Sequence, residues 1–219
     1  MLHDPTQANF DQVDEVGFTL RRPGDDQYHV GFLFKTEDRV MVRHQCNHMD
    51  TREQAAANQE DLWTDISAVS LVNKAVIAAR LAKVGDDKVP YGVGYKTERG
   101  YLDKQTLRYI VTKPGNGLTC ATYIIAILET LGFVPFDHAN WAPTLEDTSW
   151  QGRMVVTQAI QHPAAIAHFA AEQANVGTPR YKPEHVIASG TPLNWPISQD
   201  DANRLGAEAR REYDEKRPR

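Results

Sequence analysis

Cys120 has the sequence setting of a nucleophilic cysteine. Turn-forming residues 114–117 precede it, and apolar residues at three- and four-residue steps then predict a helix that ends in a left-handed cap at Gly132. Thr119 is the predicted N-cap, so Cys120 takes the first helical position. Unpaired N–H groups and the helix dipole favour a thiolate there. The alternative is that Cys120 is a small buried apolar residue, as many free cysteines are.

Two histidines lie on a predicted β-hairpin, His29 on its first strand and His44 on its second. Residues 35–38 form the polar turn. A turn centred in that stretch places Leu33 opposite Val40 and His29 opposite His44, so both imidazoles share a face. The other face is apolar as well, and we therefore expect the sheet to be packed on both sides.

These residue types together lead to the hypothesis of a thiol–imidazole hydrolase. A thiol needs an imidazole within hydrogen-bond reach to accept its proton, and a third polar group to orient that imidazole. We assign Cys120 as nucleophile, His29 as base and His44 as the orienting group, with the Cys120 N–H as part of an oxyanion hole. Gln45 or a residue of the 91–101 loop is an alternative orienting group.

A metal site is a competing interpretation of the second strand. His44, Cys46 and His48 alternate in the sequence, so a continued strand points all three to one side, and Asp50 is available as a fourth ligand. Imidazole and thiolate suit zinc. The hydrolase hypothesis itself requires no metal and no cofactor.

Three segments resemble the circularly permuted papain-like fold of NlpC-type peptidases and lecithin:retinol acyltransferase-like proteins. They are YHVGFLF with His29, VMVRHQC with His44, and GLTCATYI with Cys120. The order histidine, polar residue, helix-opening cysteine is that of the family. The similarity covers residues 28–46 and 114–134. Acyltransferase-like members carry N-C-E-H at the cysteine, whereas this chain has Leu-Thr-Cys-Ala-Thr.

The resemblance implies an α+β fold in which an antiparallel sheet packs against the cysteine helix, with additional C-terminal helices. It also implies attack on a carbonyl through an acyl-thioester on Cys120. A small peptide or other amide is the first substrate class, and a thioester or lipid acyl group is the second. A third hypothesis is a non-catalytic binding protein that keeps this fold with an idle or metal-loaded site.

The remaining segments are predicted as supporting structure. We divide the chain into a catalytic domain over residues 1–190 and a charged helical extension over residues 191–219. Tyr91, Tyr95 and Tyr101 are expected to line the site from a flexible flap. The other predicted elements are strands at 16–20 and 108–112, a loop at 50–60, and helices at 61–84, 149–161, 163–175, a short one from Pro183, and 198–213.

Composition limits the class of protein. The chain has 219 residues, 41% of them apolar and 24% charged, with a formal net charge of -5. This charge argues against a nucleic-acid binder with a broad basic face. The amino-terminal residues have no apolar core typical of a signal peptide, and no apolar stretch is long enough for a membrane span. Two cysteines without metal-like spacing favour a reducing, cytoplasmic setting, although export without a cleavable signal stays open.

Overall fold

A computed structural model describes residues 2–24, 27–85 and 87–218, and it shows an α+β fold. The sheet is antiparallel with the spatial order β4-β3-β2-β1-β5. This confirms the predicted α+β class and the antiparallel sheet. The strands are β1 Val16–Arg21, β2 His29–Lys35, β3 Val40–Asn47, β4 Asp50–Ala55 and β5 Leu62–Asp65.

Helices follow the sheet in the chain and cover it. The cysteine helix, α2, begins at Cys120 as predicted, and Gly132 has a φ of 90° just beyond its end. The helices are α1 Leu71–Leu81, α2 Cys120–Thr130, α3 Leu145–Gln161, α4 Ile166–Glu172, α5 Pro183–Gly190 and α6 Gln199–Lys216.

The hairpin of β2 and β3 forms in a register shifted by two residues from the predicted one. Leu33 lies opposite Val42, not Val40, and Lys35 lies opposite Val40. The turn occupies residues 36–39, because the Thr36 N–H donates to the Arg39 carbonyl at 2.8 Å. A shift of two residues preserves the side-chain alternation, so the predicted faces are correct although the predicted partners are wrong.

Both faces of the sheet are packed, as expected. On one face, side chains such as Phe18, Phe32 and Phe34 join the main core with α2. On the other, Leu33 and Val42 belong to a smaller cluster of buried side chains. The apolar content of α2 explains its central position, since every residue from position 121 to 128 is buried.

The predicted helix at 61–84 is wrong in its first half. Residues 62–65 form β5, which pairs with β1 and buries Trp63. Helix α1 begins later, with the Ser70 side chain accepting from the Asn73 N–H. Val72, in the first turn of α1, is 75% exposed.

Two further expectations for loops and strands need correction. The segment predicted as a loop at 50–60 contains β4, which pairs with β3. Residues 108–112 do not form a strand, and Tyr109 makes only an isolated bridge to Leu102.

The C-terminal helices agree with the sequence except at their ends. Helix α3 begins at Leu145, four residues before the predicted start, because Thr144 caps it. The segment predicted as one helix at 163–175 is α4 between two 3₁₀ turns. Helix α6 packs on α5, where Gly206 lies against the Glu184 backbone and Tyr213 is buried. Within the described ranges, no helix combines the length and the apolar character that crossing a bilayer requires.

Candidate active site

Cys120 is the first residue of helix α2, and a reciprocal capping box between Thr119 and Thr122 holds the start of this helix. The Thr119 side chain accepts from the Thr122 N–H at 3.1 Å, and the Thr122 hydroxyl accepts from the Thr119 N–H at 2.7 Å. The Cys120 side chain is half-buried on the wall of a cavity of about 790 Å³. The predicted cap and helix start are therefore confirmed.

Two glycines allow the backbone crossing that fixes this helix start. Gly92 and Gly117 approach so closely that a Cβ on either would lie 2.4 Å from the backbone of the other segment. The crossing forms a bridge between Tyr91 and Leu118. Below it, the buried Glu172 carboxylate accepts from the Gly117 N–H at 3.0 Å.

His29 and His44 are brought together although they are not directly opposite. The His29 Nε2 lies 2.6 Å from the His44 Nδ1, and the ring centroids are 4.9 Å apart at an angle of 72°. Residues offset by two positions on neighbouring strands are within reach of long side chains. The two imidazoles are thus in contact, as predicted, but they meet diagonally and not directly across the strands.

The cavity also connects His29 with Cys120. Both side chains line it, and the backbone N–H of Val30, the residue after His29, is one of the groups that lower the pKa of the Cys120 thiol. Among the described residues, no hydrogen bond joins the thiol to the His29 ring. The His29 Nε2 is occupied by His44, so Nδ1 is the ring nitrogen that is left for proton transfer.

Burial decides the protonation states of these groups. Desolvation raises the pKa of the Cys120 thiol to about 11, and this exceeds the opposite effect of the N–H groups of Val30, Ala121 and Cys120 itself. The expectation of a stabilised thiolate is therefore wrong. Burial, followed by the charges of His44 and Arg21, lowers the pKa of His29 to about 3. At pH 7 the cavity is therefore lined by a neutral Cys120 thiol and a neutral His29 ring.

The metal-ligating set differs from the predicted one. Ligand atoms of His29, His44 and Cys46 all lie within 4.8 Å of one another. His48 does not join them, because it packs against His162 and His168. The bulge between residues 45 and 47 breaks the alternation on which the prediction relied. Asp50 does not complete the set, and its carboxylate binds the Arg52 side chain instead.

Much of the segment predicted as a flexible flap, residues 91–101, packs into the core. Tyr95 and Tyr101 are 5% and 3% exposed, so they do not line the cavity, whereas Tyr91 does. Gln45 does not orient His29, since its amide donates to the Val89 carbonyl at 3.1 Å.

Sequence reasoning missed the far wall of the cavity. Arg180 lies over the Trp150 ring at 3.6 Å and 3.4 Å from the Asp147 carboxylate. No local motif marks these residues, because they come from α3 and from the segment before α5. At the other end of α2, His138 bonds Glu129 and the Tyr181 hydroxyl.

Comparisons of this chain with models of protein families, with curated proteins and with solved structures found no match.

Proposed function

We propose that this protein is a cysteine hydrolase that attacks the carbonyl of a peptide-like amide and passes through an acyl-thioester on Cys120. The observation that supports it most is the shared cavity wall: the Cys120 thiol at a helix start and His29, whose Nε2 is held by a second imidazole, both line it. We also propose the permuted papain-like arrangement, in which both histidines precede the cysteine in the chain.

The first chemical step is proton transfer with attack. The neutral His29 Nδ1 accepts the thiol proton while the sulfur forms a bond to the carbonyl carbon, because a thiol with a raised pKa needs a base at the moment of attack. Charge develops on the carbonyl oxygen. The N–H groups of Cys120 and Ala121 at the helix start are donors for that oxyanion.

The second step releases the amine. The protonated His29 gives its proton to the leaving nitrogen, and the carbon–nitrogen bond breaks to leave the acyl-thioester. Water, deprotonated by the again neutral His29, then cleaves the thioester and restores the thiol. His44 acts through His29, whose ring it holds in one orientation at 2.6 Å.

The cavity lining favours a polar substrate over a lipid chain. Among the described residues, no leucine, isoleucine, valine or phenylalanine lines the cavity. Four of its side chains are cationic and two are acidic: Arg153, Arg180, Lys182 and Arg210 against Glu146 and Glu184. Arg180, Lys182 and Arg210 are paired with acidic side chains, whereas Arg153 has no ion pair among the described residues. Trp150 and Met154 add apolar surface, so a small peptide with a carboxylate and an apolar side chain suits this wall better than a long acyl chain.

Covalent labelling tests the nucleophile and the base. The protein is treated with p-nitrophenyl acetate, and acetylation is located by peptide mass spectrometry. We expect acetyl-Cys120 in the native chain, none in Cys120→Ala, and a rate reduced by about 100-fold or more in His29→Ala. Cys46→Ala is the matched control and keeps the native rate. Equal labelling of Cys46 and Cys120, or an unchanged rate in His29→Ala, contradicts the proposal.

Comparing leaving groups separates an amidase from a thioesterase. An amine must be protonated as it leaves, whereas a thiolate leaves without a proton. For an amidase, peptide p-nitroanilides are turned over by the native chain, and His29→Ala reduces that turnover much more than it reduces thioester cleavage. If thioesters are cleaved and a panel of acidic peptide anilides is not, the acyl-transfer alternative is correct. Absence of both reactions favours a non-catalytic binding protein.

A further inference from the structure

The three side chains His29, His44 and Cys46 form a compact donor set beside the nucleophile. The His29 Nε2 lies 2.6 Å from the His44 Nδ1, and the Cys46 sulfur lies 3.5 Å from that same His44 nitrogen. All three ligand atoms fall within 4.8 Å of one another. His29 and His44 are held by ladder pairs with Arg21 of β1 and Arg52 of β4, and Cys46 lies at the bulge of β3.

We propose that His29, His44 and Cys46 bind one soft divalent cation, with zinc as the representative ion. Where the proposed hydrolase function holds, the same ion is a reversible inhibitor, since a metal on the His29 Nε2 places the ring proton on Nδ1, which then cannot accept the thiol proton. This regulatory consequence rests on the proposed function, whereas the binding site does not.

The spacing of the donors agrees with a tetrahedral centre. Zinc lies about 2.0–2.1 Å from imidazole nitrogen and about 2.3 Å from thiolate sulfur, which puts tetrahedral ligand atoms roughly 3.3–3.6 Å apart. The sulfur–nitrogen distance of 3.5 Å already has this value. The two imidazole nitrogens must separate by less than about 1 Å, and a side-chain rotation supplies that movement.

A fourth coordination position faces the cavity. His29 and Cys46 both line it, so the ion has an entry path and room for a water ligand. When the metal–sulfur bond forms, the Cys46 thiol proton passes to solvent. The donor set of two nitrogens and one sulfur favours zinc over magnesium or calcium, which prefer oxygen ligands.

Neighbouring charges limit the affinity. Arg21 lies directly across the ladder from His29, and its positive charge opposes a cation. Arg52 contributes little, because it binds the Asp50 carboxylate at 2.7 Å. With three protein ligands and one opposing charge, we expect micromolar binding that a chelator reverses, in contrast to the tight binding of a closed structural site.

Direct metal titration tests the site without reference to activity. The full chain is stripped with a chelator and titrated with zinc against a chromophoric competitor, and cobalt is added in parallel. We expect one ion per chain and a sulfur-to-cobalt charge-transfer band. Cys46→Ser should remove the band and weaken zinc binding by about 10-fold or more, while Cys120→Ala and His48→Ala bind as the native chain does.

The opposite results overturn the proposal. Absence of stoichiometric uptake by the native chain rules out the site. Retention in Cys46→Ser with loss in Cys120→Ala assigns the metal to the nucleophile instead. Inhibition is a separate measurement: zinc should slow acetylation of Cys120 in the native chain and leave Cys46→Ser at its rate without zinc. If the native chain is never acetylated, the hydrolase proposal fails and the titration still decides the metal site.

Discussion

Two groups of histidines lie near the cavity, and they are bonded in different ways. The cavity pair, His29 and His44, bonds ring to ring and leaves the His29 Nδ1 without a protein partner among the described residues. The loop cluster, His48, His162 and His168, packs around His48 with ring centroids 5.2 Å apart. One nitrogen of His48 and one of His168 bond the loop that carries Tyr91.

The partners of His48 and His168 are main-chain groups, whereas the His162 Nε2 lies 3.4 Å from the Asn47 side-chain oxygen. The Tyr91 N–H donates to the His48 Nδ1 at 3.3 Å, and the His168 Nε2 donates to the Tyr91 carbonyl at 2.8 Å. A ring nitrogen that satisfies a buried backbone group is not free to move a proton. We therefore assign proton transfer to the cavity pair, and the positioning of the Tyr91 loop to the loop cluster.

The largest expected difference between the groups is in the rate of Cys120 acetylation. His29→Ala removes the base and should lower this rate by about 10²–10⁴-fold. His168→Ala, which only loosens the loop, should lower it by less than about 10-fold. Rates with p-nitrophenyl acetate, measured on variants of matched thermal stability, check this. Similar losses in both variants would erase the distinction between the two groups.

The largest effect on the free energy of unfolding is expected not in the cavity pair but at Glu172, which holds the loop segments around Val93 and Gly117. Glu172 is fully buried and accepts from the N–H groups of Val93 and Gly117 and from the Asn175 amide, each at 3.0 Å. Glu172→Ala leaves these buried donors without an acceptor and should lower the free energy of unfolding by about 3 kcal/mol. Urea denaturation measures it. Glu146→Ala, at a side chain that is 79% exposed, is the control and should change stability by less than about 0.5 kcal/mol.

A third test examines the bond within the cavity pair. His44→Phe removes the partner of the His29 Nε2 and should lower the acetylation rate by about 100-fold, less than loss of the base itself. His44→Asn can still hold that nitrogen and should recover a large part of the rate. Equal rates in the two variants would mean that His44 fills space and orients nothing.

Local sequence signals predicted the parts of the site that depend on one segment. The Thr119 cap, the helix that begins at Cys120, and the shared face of His29 and His44 follow from turn chemistry and from the two-residue alternation of strands. The register is wrong by two positions because the turn is closed by the Thr36–Arg39 bond, which the pattern of apolar residues does not encode.

Local sequence patterns could not predict the effects of packing between distant segments. The pattern at residues 61–84 fits a helix, yet β1 offers an edge on which residues 62–65 pair, and this pairing overrides local propensity. The protonation state of Cys120 depends on the cover supplied by distant segments, so the helix-start argument gave the wrong direction. Arg180 and Trp150 meet in the cavity wall without any shared sequence motif.

The smallest effect concerns pH and the loop cluster. Burial, followed by the charges of His168 and His162, lowers the pKa of His48 to about 4, against about 6.5 in the unfolded chain. A group whose folded pKa is depressed contributes stability above its unfolded pKa, and this contribution is lost as the pH falls from about 6.5 to about 4.

His48→Gln removes that loss while keeping a polar side chain beside Tyr91. Each unit of pH between the two pKa values is worth at most about 1.4 kcal/mol, and partial solvent access reduces this for His48. At pH 5 the native chain should therefore lose about 1 kcal/mol more of its pH 8 stability than the variant does. Urea denaturation at both pH values measures the difference, and the pH 8 comparison isolates the packing cost of the substitution. A gap between the two proteins that stays constant from pH 8 to pH 5 would show that His48 takes up its proton as readily folded as unfolded, and the bond from the Tyr91 N–H would then not hold that ring neutral.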